Sequence, residues 1–588
     1  MKQKCVEHSW NRLESAIGPG LHRANSHRIS KRSINTGRIS SSRCTSASFR
    51  TAIESISGSQ LKKLYKAKCE DMGIPVLPDQ EARFLTYCST NFKNRHFHMK
   101  ESGLGLNSAL AIGKVLKTSN FAFVNLYKNS FGNKGTYAFL KEISDSQTIV
   151  HLNLSNNELA PEGFEKIGKI LTYHPSIASL DLSSYEGLHR NRISASGAYF
   201  LQGLLRQNTI LQFLSLSGTS LGDGIDSISA GLKENRTLVF LDISNNSLTG
   251  RHMESFSKAV VKSDLKKLSL NNNGIMDEGC EYLANMLIGA YEAGCPLVSL
   301  NLSTNGITSK GAGHLFSALR LNCIIKEFNA SGNNFFSGLS QYFPSFLADN
   351  CVLTTLNLSD CKLRPEALTN VSEGLGKNKK LENLYLNNNK LLDNGIEQIS
   401  HGLSKNEALL NLDLSSCQIK GPGALTLVNC LRSNFTLTHL NLKDNTVKDQ
   451  AGELLCDLTR VNKNFLSINL DLNPLNLKYV AVIKTNLKEN LKVYKKMIVP
   501  KIRSQIQKMK VPLETYETIN EQIRIRLEEK FIAEQRFELQ NYSFEEIKER
   551  EEKRTKAMIE EHKVLKERNL DLSKIIESSK TDVVVRLI

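Results

Sequence analysis

The chain has 588 residues with 40% hydrophobic content, and its twelve cysteines are scattered without a Cys-x-x-Cys pair, which argues against a zinc site or a disulfide framework. No apolar run approaches the length of a membrane span and no apolar segment follows Met1, so we expect neither membrane insertion nor secretion, and predict a cytoplasmic protein with reduced thiols. The formal net charge of +17 comes from two flanks, residues 1–50 (+8) and 478–510 (+9), and the rest of the chain is neutral, so acidic partners are expected only at these flanks.

Residues 1–55 are rich in Ser, Arg and Gly and too poor in apolar residues to fold alone, which predicts a basic flexible arm. Three interpretations stay open for this arm. It is a solvated tail, a segment that docks on an acidic surface such as nucleic acid or a tubulin-like polymer, or a transit peptide.

Residues 56–119 are predicted to form a helical entry segment and an N-terminal cap repeat. Leu61, Leu64 and Cys69 fall at helical spacings before a break at 73–75, and a second short helix is expected from Asp79. The stretch 97–104 is a degenerate repeat unit, which suits a terminal unit that shields the edge of a sheet.

Residues 120–499 repeat one pattern, Leu-x-x-Leu-x-Leu-x-x-(Asn/Cys)-x-(Leu/Ile), seen clearly at 409–419. The successive intervals between register positions are 28, 34, 28, 27, 27, 32 and then six of 28 residues. A fixed period of this length indicates a stack of identical supersecondary units. The thirteen register positions are Asn129, Asn157, Asn191, Thr219, Asn246, Asn273, Asn305, Asn333, Cys361, Asn389, Cys417, Asn445 and Asn473.

Each unit begins with apolar alternation at period two and ends with apolar residues at helical spacing, so it is predicted to be a short strand, a turn and a helix. The pattern resembles the leucine-rich repeat in its longer, ribonuclease-inhibitor-like form, over residues 120 to 492. The resemblance implies an α/β solenoid, with a curved parallel sheet on the concave side and helices on the convex side. It also implies that the register Asn points inward and that its amide satisfies backbone groups of adjacent units.

The run at 65–75 is similar to the sequence that precedes the repeats in leucine-rich-repeat proteins of cilia and testis. Most strand positions that point away from the core, on the concave face, carry small polar residues. Tyr385 is an exception and a candidate partner contact. The insertion at 184–190 is expected on an exposed face as a further candidate contact, with Tyr185, Arg190 and Arg192 as its residues. Histidines such as His98, His151 and His439 are interpreted as polar surface residues.

The last helix of the array is predicted to cap the final repeat with a stripe of Val480, Ile483, Leu487, Leu491, Tyr494 and Ile498. Residues 500–588 are predicted to be a charged, coiled-coil-like helical extension. The opposite face of the last helix and its continuation carry basic candidate partner-binding residues, namely Lys484, Lys488, Lys492, Lys495, Lys496, Lys501 and Arg503.

The chain lacks phosphate-loop, dinucleotide, metalloprotease and serine-hydrolase motifs, so no enzyme, cofactor or small-molecule substrate is expected. The resulting hypothesis is a protein-interaction scaffold of a ciliary or flagellar axoneme or another microtubule assembly, with tubulin or axonemal proteins as partners and nucleic acid disfavoured. Two alternatives stay open: a small-GTPase regulator of the Ran GTPase-activating type, with Arg190 or Arg192 stabilising phosphate charge, or an actin-filament regulator.

Overall fold

The computed structural model describes residues 56–92, 95–185, 187–368 and 371–508, with side chains up to Pro500. The predictions for residues 1–55 and for most of 500–588 lie outside these ranges. The described residues from 56 to 501 belong to one compact unit. The helical residues 502–508 are the described part of a second unit. None of the described helices is long and apolar enough to cross a membrane.

The described residues alternate between three-residue strands and helices, after two helices at the start. The strands are β1 His96–His98, β2 Phe123–Asn125, β3 His151–Asn153, β4 Ser179–Asp181, β5 Phe213–Ser215, β6 Phe240–Asp242, β7 Lys267–Ser269, β8 Ser299–Asn301, β9 Glu327–Asn329, β10 Thr355–Asn357, β11 Asn383–Tyr385, β12 Asn411–Asp413, β13 His439–Asn441 and β14 Ser467–Asn469.

The helices are α1 Gly58–Met72, α2 Pro78–Asn91, α3 Leu106–Lys117, α4 Gly132–Ile143, α5 Pro161–Leu171, α6 Ser194–Gln207, α7 Ile225–Leu232, α8 His252–Val261, α9 Met276–Ala293, α10 Ser309–Leu321, α11 Phe343–Asp349, α12 Val371–Lys377, α13 Leu392–Leu403, α14 Gly421–Leu431, α15 Asp449–Val461 and α16 Leu477–Lys508. Short 3₁₀ turns at Gly222–Gly224 and Pro365–Leu368 precede α7 and α12.

The fourteen strands form one parallel sheet in strict sequence order, β1 to β14. Each strand pairs with the equivalent residues of the next unit, as in Leu356↔Leu384. The helices that connect consecutive strands pack against one another in the same order. The predicted α/β solenoid of parallel strands and alternating helices is therefore confirmed.

The core is a continuous layer between sheet and helices. The middle residue of every strand is buried, for example Leu152, Leu268 and Leu384, and the apolar face of each helix packs over it. In several units, for example at Gly395 and Gly423, a Gly follows the register position by six residues. A Cβ on Gly423 would come within 2.4 Å of the Asp393 carboxylate of the preceding helix, so this Gly lets the two helices approach closely.

The N-terminal end of the array is closed by α1. Leu64, Tyr65 and Cys69 are buried against the first unit. Asp71 accepts hydrogen bonds from the backbone N–H groups of Gly105 and Ser108, both at 2.8 Å, and so caps the start of α3. The cap fixes α1 to the first unit by charge-assisted bonds as well as by packing.

The C-terminal end is closed by the first half of α16. Ile483, Leu487 and Asn490 are buried, but Leu491 and Tyr494 are 36% exposed, so the predicted capping stripe is wrong beyond Asn490. The helix has by then passed the edge of the last unit. It continues through Pro500 to Lys508, so the boundary predicted at 499–500 falls inside a helix.

Candidate interaction surfaces

The register asparagines hold adjacent units together. Asn389 accepts hydrogen bonds from the backbone N–H groups of Cys361 and Leu363, and its Nδ2 donates to the carbonyl oxygens of Leu358 and Leu386. All ten donate in this way to a carbonyl of the preceding unit: Asn129, Asn157, Asn191, Asn246, Asn273, Asn305, Asn333, Asn389, Asn445 and Asn473. These side chains are committed to the scaffold.

A second row of amides runs along the helix ends. Asn378 Nδ2 donates to Leu347 O at 2.6 Å, and Asn378 Oδ1 accepts from the N–H of Leu381 at 2.7 Å. The same pair of contacts recurs in most units. It explains why these segments share the spacing Leu-x-x-Asn-x-x-Leu, as at Leu375, Asn378 and Leu381. In one unit the imidazole of His174 takes this place, with Nε2 3.0 Å from Ile143 O and Nδ1 accepting from the N–H of Ile177.

The outward face of the sheet largely satisfies its own polar groups. The third residue of a strand binds the Ser two positions later, as when Asn357 Oδ1 accepts from both N and Oγ of Ser359 at 2.9 and 2.6 Å. Asn153, Asp181, Asp242, Asn301 and Asp413 make the same pair of contacts. Most of this face is therefore scaffold with few groups left for a ligand.

Two of the carboxylates on this face, on β4 and β6, lie close to each other. Asp181 and Asp242 flank Ser215 in register, which places them two strand spacings, or about 10 Å, apart. Asp181 is 4% exposed, and burial raises its pKa to about 6, with only partial relief from the Ser183 hydrogen bonds. Burial likewise raises the pKa of Asp242. No described Lys, Arg or His forms an ion pair with either carboxylate.

The inserted loop brings Tyr185 back over the sheet beside these carboxylates. Its backbone N–H donates to Asn156 Oδ1 at 2.6 Å, its hydroxyl lies 3.1 Å from Ser183 Oγ, and its ring meets Tyr127 edge-on at 5.9 Å. Burial, followed by the charge of Asp181, raises the pKa of the Tyr185 phenol. The loop therefore places the aromatic ring of Tyr185 beside the carboxylates of Asp181 and Asp242.

The first strand position carries aromatic residues that the sequence reasoning missed. Phe213 and Phe240 lie on neighbouring strands with ring centroids 6.3 Å apart, and His96 stacks on Phe123 at 4.5 Å. Phe213 and Phe240 are half-buried and precede Ser215 and Asp242 by two residues on the same face. We call Asp181, Tyr185, Phe213, Phe240 and Asp242 the acidic-aromatic patch.

The other predicted contact residues are not gathered at the patch. Arg190 and Arg192 are exposed on the far part of the loop, near the pairing of His189 Nδ1 with Glu158 at 2.5 Å. Tyr385 is half-buried at the third position of β11, several strands away. The structure brings only Tyr185 into the patch.

The histidine interpretation needs one correction. His439 is exposed, but His151 is buried at 5% exposure with Nδ1 2.8 Å from Ser179 Oγ. Burial, with smaller effects from His96 and His98, lowers the pKa of His151 to about 3. Burial also lowers the pKa of the half-buried His98. Both imidazoles are thus held neutral on the sheet face rather than free in solvent.

A basic surface lies on α16. Lys484, Lys488, Lys492 and Lys496 follow one another at intervals of four on one face of the helix, with Lys495 beside them, and all are exposed. Lys492 pairs with Glu489 at 2.8 Å. We call these five lysines the lysine row. Lys501 and Arg503 continue the helix, but their side chains lie outside the described part.

Comparisons with known proteins identify leucine-rich repeats in this chain. A family model described as a leucine-rich repeat matches residues 145–168, 261–284, 295–315, 349–372, 405–428 and 433–456, and a second model of that description matches 237–259.

Two curated relatives share part of the array. The chain is 28% identical over 239 residues to rat capping protein, Arp2/3 and myosin-I linker protein 3, which covers 39% of this chain and 17% of the relative. It is 28% identical over 172 residues to mouse ribonuclease inhibitor, or 28% of this chain and 36% of the inhibitor. The match thus spans only a minor part of each relative.

Among solved structures, an internalin from Listeria monocytogenes aligns with 75% of this chain and 97% of its own at 15% identity, with a TM-score of 0.34. The repeat motif, the ladder of register amides and the family-model matches agree with one another. The chain therefore carries leucine-rich repeats that are similar to those of ribonuclease inhibitor.

Proposed function

We propose that this chain is a non-catalytic interaction scaffold that binds a basic protein segment at the acidic-aromatic patch and an acidic cytoskeletal filament through α16. The observation that carries the proposal is the lysine row, on a helix that Ile483 and Leu487 anchor to the last repeat. The array supplies a long rigid body, and the two surfaces supply two separate attachment points.

The lysine row lowers the stability of α16 in the free protein, because its positive charges repel one another. Like charges four residues apart on a helix destabilise it by about 0.2–0.5 kcal/mol per pair, and the described row contains three such steps with one compensating Glu489. An acidic polymer surface would convert this repulsion into attraction and would concentrate the scaffold on the filament. Such binding weakens as salt is added, because exposed charges are screened.

The acidic-aromatic patch suits a cationic side chain. An arginine placed between Asp181 and Asp242 would pair with two carboxylates that no described cation neutralises. The rings of Phe213, Phe240 and Tyr185 would add cation–π and stacking contacts, which Arg uses better than Lys does. The patch also holds the aromatic residues that dominate protein–protein hot spots.

Actin filaments are the first candidate polymer. Support comes from the relative whose name describes a linker of capping protein, Arp2/3 and myosin-I, although that match covers 17% of the relative. A cytoplasmic, cytoskeletal location follows from this proposal.

Microtubules, and with them a ciliary or flagellar axoneme, are the second candidate. Support comes from the similarity of residues 65–75 to the segment before the repeats in ciliary leucine-rich-repeat proteins. Either polymer would meet the same basic helix.

Co-sedimentation of the full chain with actin filaments and, separately, with microtubules tests the filament part. We expect salt-sensitive binding to one polymer that is lost when Lys484, Lys488, Lys492 and Lys496 are all changed to Gln. The matched control removes the same charge from exposed lysines of α1, α3 and α4, and should bind normally: Lys63, Lys66, Lys114 and Lys141. An equal loss of binding in both variants would mean that the polymer responds to net charge rather than to the lysine row. Binding of the parent chain to neither polymer would refute the filament proposal.

A fluorescent peptide with one central Arg in a neutral sequence, measured by polarisation, tests the patch. We expect its affinity to fall when Asp181 and Asp242 are both changed to Asn. The matched control is Asp413→Asn, because Asp413 on β12 makes the same contacts with Ser415 and lies outside the acidic-aromatic patch. An equal loss for the control would show that the peptide reads overall charge rather than the patch.

A further inference from the structure

Two cysteines occupy equivalent positions in consecutive repeats. Cys323 follows Asn322 and Cys351 follows Asn350, in the segments that join α10 to β9 and α11 to β10. Asn322 and Asn350 both belong to the second row of amides, and Asn350 Nδ2 donates to Asn322 O at 3.3 Å. The two segments therefore run side by side in the same register before the strands begin.

The spacing of these segments suits a covalent bridge. Four residues later the strands pair as Glu327↔Thr355, and Thr354 N donates to Lys326 O at 2.9 Å. Parallel strands lie about 4.8 Å apart, within the Cα separation of about 4.4–6.8 Å that a disulfide spans. Burial, followed by the neighbouring Cys351 thiol, raises the pKa of Cys323, as expected for two thiols side by side.

These two thiols are also the accessible ones. Cys323 and Cys351 are the exposed cysteines among the described residues, whereas six others are buried and Cys430 and Cys456 are half-buried. Burial raises the pKa of Cys361 and of Cys417 to about 12, which suppresses their thiolates. Reagents in solution should therefore reach the Cys323–Cys351 pair first.

The surroundings of the pair favour an anionic reagent. Cys351 lines an open cavity of about 490 Å³ together with Lys326, Lys379, Lys380 and Glu382. Lys379 pairs with Glu407 at 2.9 Å, and no ion pair of Lys380 is found within the described residues. Lysines on the wall of this cavity attract a negatively charged small molecule to the thiol.

We propose that Cys323 and Cys351 are a reversible dithiol site, oxidised to an inter-repeat disulfide by an anionic small-molecule disulfide such as glutathione disulfide. The Cys351 thiolate attacks one sulfur of the reagent, whose S–S bond breaks and releases one glutathione thiolate. The Cys323 thiolate then attacks the mixed disulfide, forms the protein S–S bond and releases the second glutathione. Two protein thiols are oxidised and one reagent disulfide is reduced, with both thiol protons passing to the glutathione thiolates.

The bridge would fasten the least regular unit of the array. The segment between the cysteines contains the seven-residue helix α11 and the exposed residues Phe336 and Tyr342. Closing this loop restricts its opening and its unfolded states. Oxidation should therefore slow chymotrypsin cleavage after Phe336 and Tyr342.

The test uses the full chain with Cys5 and Cys44 changed to Ser, so that the accessible pair is isolated. After treatment with glutathione disulfide, we expect the intact mass to fall by two hydrogens, and a tryptic map to show a Cys323–Cys351 bridge that dithiothreitol removes. In the Cys351→Ser variant, Cys323 should instead keep a glutathione adduct. Cys430→Ser is the matched control and should form the bridge normally.

Other outcomes would overturn the proposal. Two separate glutathione adducts on Cys323 and Cys351 would mean that the thiols cannot reach each other. A bridge that involves Cys430 or Cys456, or no reaction at either exposed thiol, would also refute it. Faster cleavage after Phe336 in the oxidised protein would refute the fastening of α11 while leaving the bridge itself intact.

Discussion

The side-chain oxygen of Asn389 accepts two hydrogen bonds, from the backbone N–H groups of Cys361 and Leu363, each at 2.9 Å and one repeat earlier in the chain. Its Nδ2 donates to two further carbonyls. One buried amide thus satisfies four backbone groups of two adjacent turns. Because Asn389 is 1% exposed, water cannot replace its hydrogen bonds to these backbone groups.

We predict that Asn389→Ala lowers the free energy of unfolding by about 3 kcal/mol or more, because several buried backbone groups lose their partner at about 1–3 kcal/mol each. Urea denaturation followed by circular dichroism measures this. The control is Asn394→Ala, an exposed position on α13 that should change stability by under about 0.5 kcal/mol. A loss of similar size in both variants would contradict the special role of the register amide.

The second prediction concerns His174, which replaces an amide in the second row. Burial lowers its pKa, and its Nδ1 must stay unprotonated to accept from the N–H of Ile177. The folded state therefore binds fewer protons than the unfolded state below the ordinary histidine pKa of about 6.5. Its contribution to stability is complete above about pH 6.5 and is lost as the pH falls toward the lower folded-state value.

We expect His174→Asn to keep stability at pH 7.5, because an amide makes the same contacts in other units. It should also flatten the fall in stability between about pH 6.5 and pH 5. Thermal unfolding at several pH values gives the comparison. An unchanged pH profile would mean that His174 does not titrate in this window. His401→Asn, on α13, serves as the control and should leave the slope as it is.

The repeat period predicted most of the fold, because one interval fixes the strand, the turn and the helix of every unit at once. Asn389 and its equivalents could be placed from the spacing of the motif alone, and so could the extra length of α9 from the interval before Asn305. The end of the cap could not be placed, because Leu491 continues the apolar spacing of Leu487 after the underlying repeat has ended.

The patch was predicted only in part. Asp181 and Asp242 belong to the outward positions that the period-two pattern predicts to be polar. Phe213 and Phe240 lie two residues before Ser215 and Asp242 on the same face, between the first and second Leu positions of the motif. Reading that face at period two would have found them. The return of Tyr185 onto the sheet depends on its bond to Asn156, a contact between an insertion and the preceding unit that no periodicity encodes.

The third prediction follows from the buried carboxylate of Asp181. Its pKa of about 6 lies above the unfolded value of 3.8, so the folded state binds more protons, and stability is lost as the pH rises through about 6. Asp181→Asn removes this penalty and keeps the Ser183 contacts, as Asn153 does with Ser155 on the neighbouring strand. We predict a gain of about 2 kcal/mol at pH 7.5 that shrinks at pH 5.

Denaturant titrations at the two pH values measure this gain. Asp413→Asn, with the same Ser contacts at a half-buried site, should gain less. A loss of stability in Asp181→Asn at pH 7.5 would contradict the buried, uncompensated charge. A gain would show that the chain keeps a charged residue on this face at a cost in stability, as expected for a group that meets a cation in a partner.

The last prediction separates the capping part of α16 from its continuation. Leu487 is 7% exposed, and α16 places it at the C-terminal end of the core, whereas Leu491, one turn later and on the same face, is 36% exposed. We predict that Leu487→Ala costs about 2–4 kcal/mol, as for other buried leucines, and that Leu491→Ala costs under about 1 kcal/mol.

The physical reason is that no further repeat unit follows β14 within the described residues, so α16 covers the end of the core there. Ile483 and Leu487 close the apolar end of the stack, and Asn490 donates to the carbonyls of Thr459 and Phe465 at 3.0 and 3.1 Å. Hydrogen exchange of the β14 and α15 amides should speed up in Leu487→Ala and stay as in the parent chain in Leu491→Ala. Equal costs for the two leucines would mean that the cap extends past Asn490. In that case the lysine row would belong to the array's own packing and would no longer be free to meet a filament.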